Sequence, residues 1–255
     1  MLKLLKYALY DILKSRFAII YTAFLILVAV SIYQVSDDLS KVSLSLMNVM
    51  IMVVPLISAV FATTHFYNNL EFIELMLAQP VKRSQVFLSQ LFAVIFMLSL
   101  SLLLGFGLPM LLWGADSSLI TLLAVGMILS AVFTGFAFLA SVLTRDKARA
   151  IGISLALWIY FSLVYDGLVL YIIYSFADYP LEKATLGLVM LNPVDLGRIL
   201  MLMQLDISAL MGYTGAFFKQ FFSSGIGMLV ILMVLSIWLV VPIGLSGRVF
   251  KKKDF

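Results

Sequence analysis

Six stretches of the chain are apolar at almost every position, and the intervals between most of them are short and polar. A helix needs about 20 such residues to cross a hydrocarbon core about 30 Å thick. The pattern predicts spans over 17–34, 46–64, 86–112, 118–144, 151–174 and 226–247. The third and fourth are long enough to tilt or to project past the bilayer. These are continuous runs rather than short alternating ones, which argues against a transmembrane barrel. The fold class expected is therefore an all-α integral membrane protein, one transmembrane domain over 1–255 with six transmembrane helices. Its charged start followed by an apolar run, with no small-residue cleavage site after it, reads as a retained first span.

Two intervals depart from short loops. The first is "FYNNLEFIELMLAQPVKRSQVFLSQLF", residues 66–92, which carries acids, bases, amides and a proline between the second and third runs. Wound as a helix over 66–79, it brings Phe66, Leu70, Ile73 and Leu77 within about 60° of one another, with Glu71 and Glu74 opposite. Pro80 stops that helix and biases Gln79 toward an extended conformation. Lys82 and Arg83 follow in the turn, and Ser84 is placed to cap the next helix. The pattern serves equally an interfacial anchor or a docking helix for a partner.

The second is 175–225, too long for a structureless connection. Within it "LNPVDLGRILMLMQL" reads as a helix start, with Asn192 as N-cap, Pro193 at the first helical position and Asp195 in the first turn. The apolar residues that follow predict a helix along the outer interface. The next piece, "SALMGYTGAFFKQFFSSG", is interrupted by Gly212, Gly215 and Lys219 and reads as re-entrant or interfacial.

Composition agrees with the pattern: 64% hydrophobic and 12% charged residues do not describe a water-soluble domain, where charge runs near 25%. Placement of charge then sets the orientation. With six spans both termini share a side, and that side collects Lys3, Lys6, Lys14, Arg16, Lys82, Arg83, Arg145, Lys147, Arg149, Arg248 and Lys251 to Lys253, thirteen of the 17 bases. The other side keeps Lys41, Lys183, Arg198 and Lys219, together with Asp37, Asp38, Asp116, Asp178, Glu182, Asp195 and Asp206. By the positive-inside rule the termini and residues 65–85 are expected in the cytoplasm. A seventh span would carry "RVFKKKDF" outside, against that rule. Trp113, Tyr33, Tyr174 and Tyr179 fall near the predicted outer boundaries, as in an aromatic belt.

Few residues carry chemistry. The chain has no cysteine, so thiol catalysis and Cys-based metal sites are excluded. No P-loop motif occurs, so any use of ATP must lie on another chain. His65 is the only histidine, at a span boundary, and does not make a metal site. Asp166 is the one acid well inside a predicted span. A carboxylate there costs at least about 2.5 kcal/mol on insertion scales, so it should face a polar cavity, a helix or a subunit, in a pathway or gating role or as a structural hydrogen-bonded group. Ser162, four residues earlier, shares its helical face. No Ser/His/Asp set, carboxylate pair or ligand cluster assembles, which argues against a membrane enzyme.

The segment "EFIELMLAQPVKRSQVFLSQ" resembles the cytoplasmic coupling region of ABC transporter permeases of the type-2 exporter class, where an E-x-x-E-L-L-L-A-x-P-V-x-R sequence joins spans two and three. The resemblance extends to six spans, an amphipathic N-terminal helix over 2–16 and a long outer connection before span six. More narrowly, "SDDLSKVSLSLMNVMIMVVPLISAVF", "VYDGLVL" and "LNPVDLGRIL" are similar to permeases that serve nitrous-oxide reductase maturation. The resemblance implies a homodimer in a bacterial inner membrane, with lipids around it and no nucleic acid. It implies a separate cytoplasmic ATPase holding ATP and Mg, docked on Glu71, Glu74, Leu75, Gln79, Pro80, Lys82 and Arg83. It implies a periplasmic accessory protein met by Asn192, Pro193, Asp195 and Arg198. Service to a copper enzyme brings forward the thioethers of Met201 and Met203 as weak candidates for a soft metal, although Met is an ordinary filler of apolar helices. The cargo stays open between copper and sulfur supply. An exporter of another cargo, such as a drug, lipid or peptide, and a passive membrane anchor are the alternatives.

Overall fold

The computed structural model describes residues 2–36, 38–176, 179, 182–204 and 225–253. All regular structure in them is helical. In chain order the helices are α1 (Leu2–Leu13), α2 (Arg16–Val35), α3 (Leu39–Asn68), α4 (Leu70–Leu77), α5 (Arg83–Trp113), α6 (Ser117–Leu143), α7 (Lys147–Ile159), α8 (Tyr165–Ser175), α9 (Glu182–Met190), α10 (Pro193–Gln204) and α11 (Gly225–Lys252). A π-helical turn, Tyr160–Val164, joins α7 to α8. Six of these units are long and apolar enough to cross a membrane: α2, α3, α5, α6, α7 through α8, and α11. The expected segment 208–225 lies outside the described residues except for Gly225, as do Asp37, Asp178 and Asp206.

The helices start where a short acceptor side chain precedes an apolar run. Ser15 accepts from Ala18 N at 3.3 Å, Asp38 from Ser40 N at 2.9 Å, Asp116 from Leu119 N at 3.0 Å and Asp146 from Arg149 N at 3.2 Å. Each satisfies an amide that the helix leaves unpaired, and the aspartates also oppose the positive end of the dipole. Several boundaries correct the expected ones. The first helix ends at Leu13 rather than 16, because Ser15 is used as the cap of α2. The second span starts at Leu39 rather than 46, since Ser43 is buried and accepts a hydrogen bond from Ser118 Oγ at 2.8 Å.

The bundle is organised around α6. Within its most apolar window 67% of residues are buried, against 17% for the fifth span and 17% for α11, which mark these two as peripheral. Helices α3, α5 and α11 pack directly on α6, α2 lies on α5, and α7 lies on α3. Close approach is set at Gly105: a Cβ there would stand 2.4 Å from Leu25 Cβ, so α2 and α5 meet backbone to backbone. Gly114 has φ 108°, which only glycine adopts without strain, and it turns the chain from α5 to α6. Its carbonyl accepts from the Tyr33 hydroxyl at 2.9 Å.

Polar groups inside the bundle are used to join helices. Thr63 and Ser154 hydroxyls lie 2.9 Å apart between α3 and α7. Trp158 Nε1 donates to Met52 O at 3.1 Å. That carbonyl sits beside Pro55, where the ring disturbs the α3 ladder.

Between the fifth and sixth spans the chain folds back instead of lying along the surface. Segments Ala184–Met190 and Pro193–Gln204 are bent by 112° to each other. Helix α10 is buried over most of its length, including Val194, Leu196 and Met201, and packs on α6. Gly197 permits this, since a Cβ there would stand 2.8 Å from Val125 Cγ1. The helix expected along the outer interface is thus packed inside the protein. It is drawn in because its polar residues find partners inside the protein.

Candidate functional site

Two places gather the residues singled out above, at opposite ends of the bundle. The end that carries both described termini and most of the bases is the basic end.

At the basic end, α3 runs on through Asn68, so Phe66 belongs to the span and not to the short helix after it. Helix α4 is eight residues long. Ile73 is its buried anchor, at 1% exposure, while Leu75 stands 65% exposed. Glu71 and Glu74 are exposed beside Leu75, and neither makes an ion pair among the described residues. The break before α4 is held by His65, whose ring contacts Gln90 Oε1 at 3.0 Å and Asn69 Nδ2 at 3.1 Å. The only histidine is a structural bridge from α3 to α5. After α4, Val81 N donates to Gln79 O at 2.6 Å, a three-residue turn centred on Pro80. Lys82, not Ser84, occupies the cap position of α5, and its side chain makes no capping bond.

Arg83 has a different task from its neighbours. Its Nη1 donates to Lys253 O at 2.7 Å and Lys251 O at 3.3 Å, at the C-terminal end of α11. Lys253 Nζ in turn donates to Thr144 O at 2.6 Å and Ser141 O at 3.3 Å, the last carbonyls of α6. Both cations sit where helix C-termini favour them. Burial, and secondarily the Arg145 charge, pushes the Lys253 ammonium below the ordinary lysine range. Phe250, fully buried, packs on Phe87 with ring centroids 5.2 Å apart and on Phe66 at 6.4 Å. Lys147 Nζ donates to Asn68 Oδ1 at 2.8 Å. All seven expected docking residues are exposed on or after α4, and Arg83 is also bonded to the end of α11.

At the far end, α8, α9 and α10 enclose a cavity of about 270 Å³ with walls of Val169, Leu170, Val189, Ile199, Leu202 and Met203. On its lining, Arg198 Nη1 donates to Asp166 Oδ2 at 3.0 Å and to Asp195 Oδ1 at 2.9 Å. One guanidinium nitrogen serves two carboxylates. Asn192 positions this trio. Its Oδ1 accepts from Val194 N at 3.0 Å, capping α10, while its Nδ2 donates to Asp195 Oδ2 at 2.9 Å and to Phe161 O at 2.8 Å. Phe161 lies in the π turn, where a widened helix leaves carbonyls in need of outside donors. Tyr165 Oη donates to Leu188 O at 2.6 Å and Trp238 Nε1 to Met190 O at 3.2 Å, fixing both sides of α9.

The structure therefore brings Asp166, Asn192, Asp195 and Arg198 together, and Ser162 makes no hydrogen bond to them. Ser162 Oγ is buried and has no hydrogen-bond partner among the described residues. Asn192, Pro193 and Asp195 are buried, which removes them from any outer partner surface. Met201 is 1% exposed in the core, and Met203, two positions on, faces the cavity. That spacing turns the two thioethers to different sides of α10. The Asp195–Arg198 spacing was a readable signal for an ion pair. Nothing local in the sequence marks the partnerships with Asp166 and Phe161.

Residues 2–255 match the model of the "ABC-2 family transporter protein" family. The "Probable ABC transporter permease protein NosY" of Stutzerimonas stutzeri is 30% identical over 141 residues, 49% of each chain. The protein of the same description from Pseudomonas aeruginosa is 30% identical over 145 residues, 53% of each chain. The matched region thus spans about half the length of these curated relatives. Six membrane-length helical units, with α6 the most buried of them, and a family match over residues 2–255 lead to one assignment: the chain is a multi-pass membrane protein that belongs to the ABC-2 transporter family.

Proposed function

We propose that this chain is a permease that works as a homodimer with two copies of a cytoplasmic ATPase, and that α4 is the element on which each ATPase docks. The observation that carries this reading is the exposed face of α4, with Glu71, Glu74 and Leu75 on the end of the bundle rich in bases. By the positive-inside rule that end is cytoplasmic. ATP and Mg belong to the ATPase chain. Likeness to the two NosY permeases supports a role in maturing the copper site of nitrous-oxide reductase in a bacterial inner membrane, together with a periplasmic accessory protein.

The experiment is charge reversal at the docking face in the complex co-expressed with its ATPase. Glu71→Lys with Glu74→Lys should reduce ATP hydrolysis to that of the ATPase alone, while the permease still inserts and purifies at the normal level. Stimulation that survives the reversal refutes α4 as the docking element.

A further inference from the structure

We propose that the cavity between the α1–α2 joint and the basic end of α3 binds a phosphate ester. Its volume of about 460 Å³ exceeds that of the cavity beside α10 and falls in the range of about 300–1,000 Å³ usual for small-molecule sites. Ile12, Lys14 and Phe17 line it from the joint, and Phe61, Thr64 and Asn68 line it from α3. Among the described residues no acid lines it, and Lys14 is the cation at its rim. The Lys14 ammonium donates to the Tyr10 hydroxyl and lies 4.1 Å from the centre of that ring. It makes no ion pair among the described residues. Residues 1–36 hold Lys3, Lys6, Lys14 and Arg16 against one acid, Asp11. Two neutral donors accompany this positive wall. Thr22, Thr63 and Thr144 each return the hydroxyl to the carbonyl four residues back, whereas Thr64 makes no hydrogen bond with its hydroxyl among the described residues. Asn68 Oδ1 accepts from Lys147 Nζ at 2.8 Å, and its amide nitrogen has no partner among the described residues.

Depth sorts these groups. Phe61, Thr64 and Asn68 are three and four residues apart, so they share one face of α3 over about 10 Å of its axis. The Phe17 and Phe61 rings stack with centroids 4.1 Å apart and form an apolar floor. Asn68 and Lys14 stand at the other end, where the membrane-length helix α3 stops. A phosphate takes a cation and several neutral donors together, as strong charge-assisted hydrogen bonds. Water would satisfy the donors but bring no charge to Lys14 and no apolar body to Phe17 and Phe61. Two sources carry the phosphate chemistry: the headgroup of a phospholipid, and a soluble phosphate ester. The apolar floor beneath the donors favours the lipid. The proposal concerns the chain by itself and does not depend on ATPase docking.

The test uses the full-length protein in a neutral detergent, followed by native mass spectrometry. It is titrated separately with dioleoylphosphatidylglycerol, with dioleoylglycerol and with glycerol 3-phosphate. Saturable uptake of phosphatidylglycerol is expected, and none of dioleoylglycerol, which lacks the phosphate. Lys14→Gln and Asn68→Asp should each weaken uptake at least tenfold. The aspartate keeps an acceptor for Lys147 but replaces the donor with a negative oxygen. Thr64→Val should weaken uptake about tenfold, the worth of one hydrogen bond to a charged group. It should leave the melting temperature of the lipid-free protein unchanged, because that hydroxyl bonds nothing else among the described residues. Lys252→Gln removes an exposed base at the same end but outside the cavity, and uptake should not change. Uptake of phosphatidylglycerol without glycerol 3-phosphate assigns the site to lipid. Uptake of glycerol 3-phosphate, with the same losses in the variants, assigns it to a soluble ester. The proposal is overturned by dioleoylglycerol bound as tightly as phosphatidylglycerol, by uptake unchanged in Lys14→Gln and Asn68→Asp, or by equal losses in Lys252→Gln and Lys14→Gln.

Discussion

Replacing Asn192 by alanine should be among the most destabilising single changes outside the apolar core, and its cost can be worked from two bonds. Asn192 is fully buried at 0% exposure. The substitution removes the side-chain oxygen that caps Val194 N, worth about 1 kcal/mol. It also leaves Phe161 O without the donor that reached it at 2.8 Å, and a buried acceptor left bare costs about 1–3 kcal/mol. The total expected is about 2–4 kcal/mol. An ordinary hydrogen bond between membrane helices averages only about 0.6 kcal/mol, so the two accounts separate cleanly. Equilibrium unfolding in mixed micelles, followed by far-ultraviolet circular dichroism, measures the difference. Tryptophan emission gives a local readout, because Trp238 is bonded to Met190 O at 3.2 Å at the end of α9. Asn192→Asp keeps the capping oxygen but loses the donor and sets a carboxylate against Asp195, so it should be at least as damaging as alanine. A loss near 0.6 kcal/mol or below for Asn192→Ala, with unchanged emission, would refute the claim that this residue holds the π turn to α10.

Other consequences are open to direct measurement. Gly105→Ala places a Cβ 2.4 Å from Leu25 Cβ, and neither atom can rotate away, so α2 and α5 must part at a cost of about 1–3 kcal/mol. Gly107→Ala, on the same helix with nothing within 4 Å, should be neutral or slightly stabilising, and equal effects of the two would rule out the close approach. Lys253 gives a pH signature. Its proton is bound less tightly in the folded state than in the unfolded chain, where the ordinary value is 10.5. Stability should therefore rise with pH from the depressed folded value up to that ordinary value. Lys253→Met should flatten this rise in alkaline thermal melts, and a rise that persists assigns it to other groups.

The spans were legible because each is long, and because length and apolar content alone distinguish a crossing helix from a loop. What escaped was polar content buried inside helices. The run Leu39–Leu46 looked like loop because it holds Lys41, Ser43 and Ser45, yet Ser43 pairs with Ser118 across the bundle. For the same reason "LNPVDLGRIL" was read as a surface helix. Asn192, Asp195 and Arg198 look like residues that seek water, and the cap they predict at Pro193 is present. Their remaining partners, Asp166 and Phe161, lie about thirty residues earlier in the chain, and no local pattern records a pairing of that range. The π turn had no sequence mark at all. "YFSLV" is as apolar as its surroundings.

The basic end shows how one set of residues answers two requirements, and this sharpens the docking reading. Arg83, Lys147 and Lys253 contribute to the charge bias that orients the chain. In the structure their donors are also taken, by the end of α11, by Asn68 and by the end of α6. A force applied to the α4 turn would reach α11 through Arg83, and α6 through the Lys253 carbonyl and ammonium at the next step. With those cations engaged internally, the charge that α4 itself offers outward is mainly that of Glu71 and Glu74. The surface that receives α4 on the ATPase should therefore be basic. Exchanging a lysine or arginine in that groove for glutamate should restore stimulation to the Glu71→Lys, Glu74→Lys permease while lowering it for the native one. If no such exchange recovers the doubly reversed variant, the acids act within the permease and not across the interface.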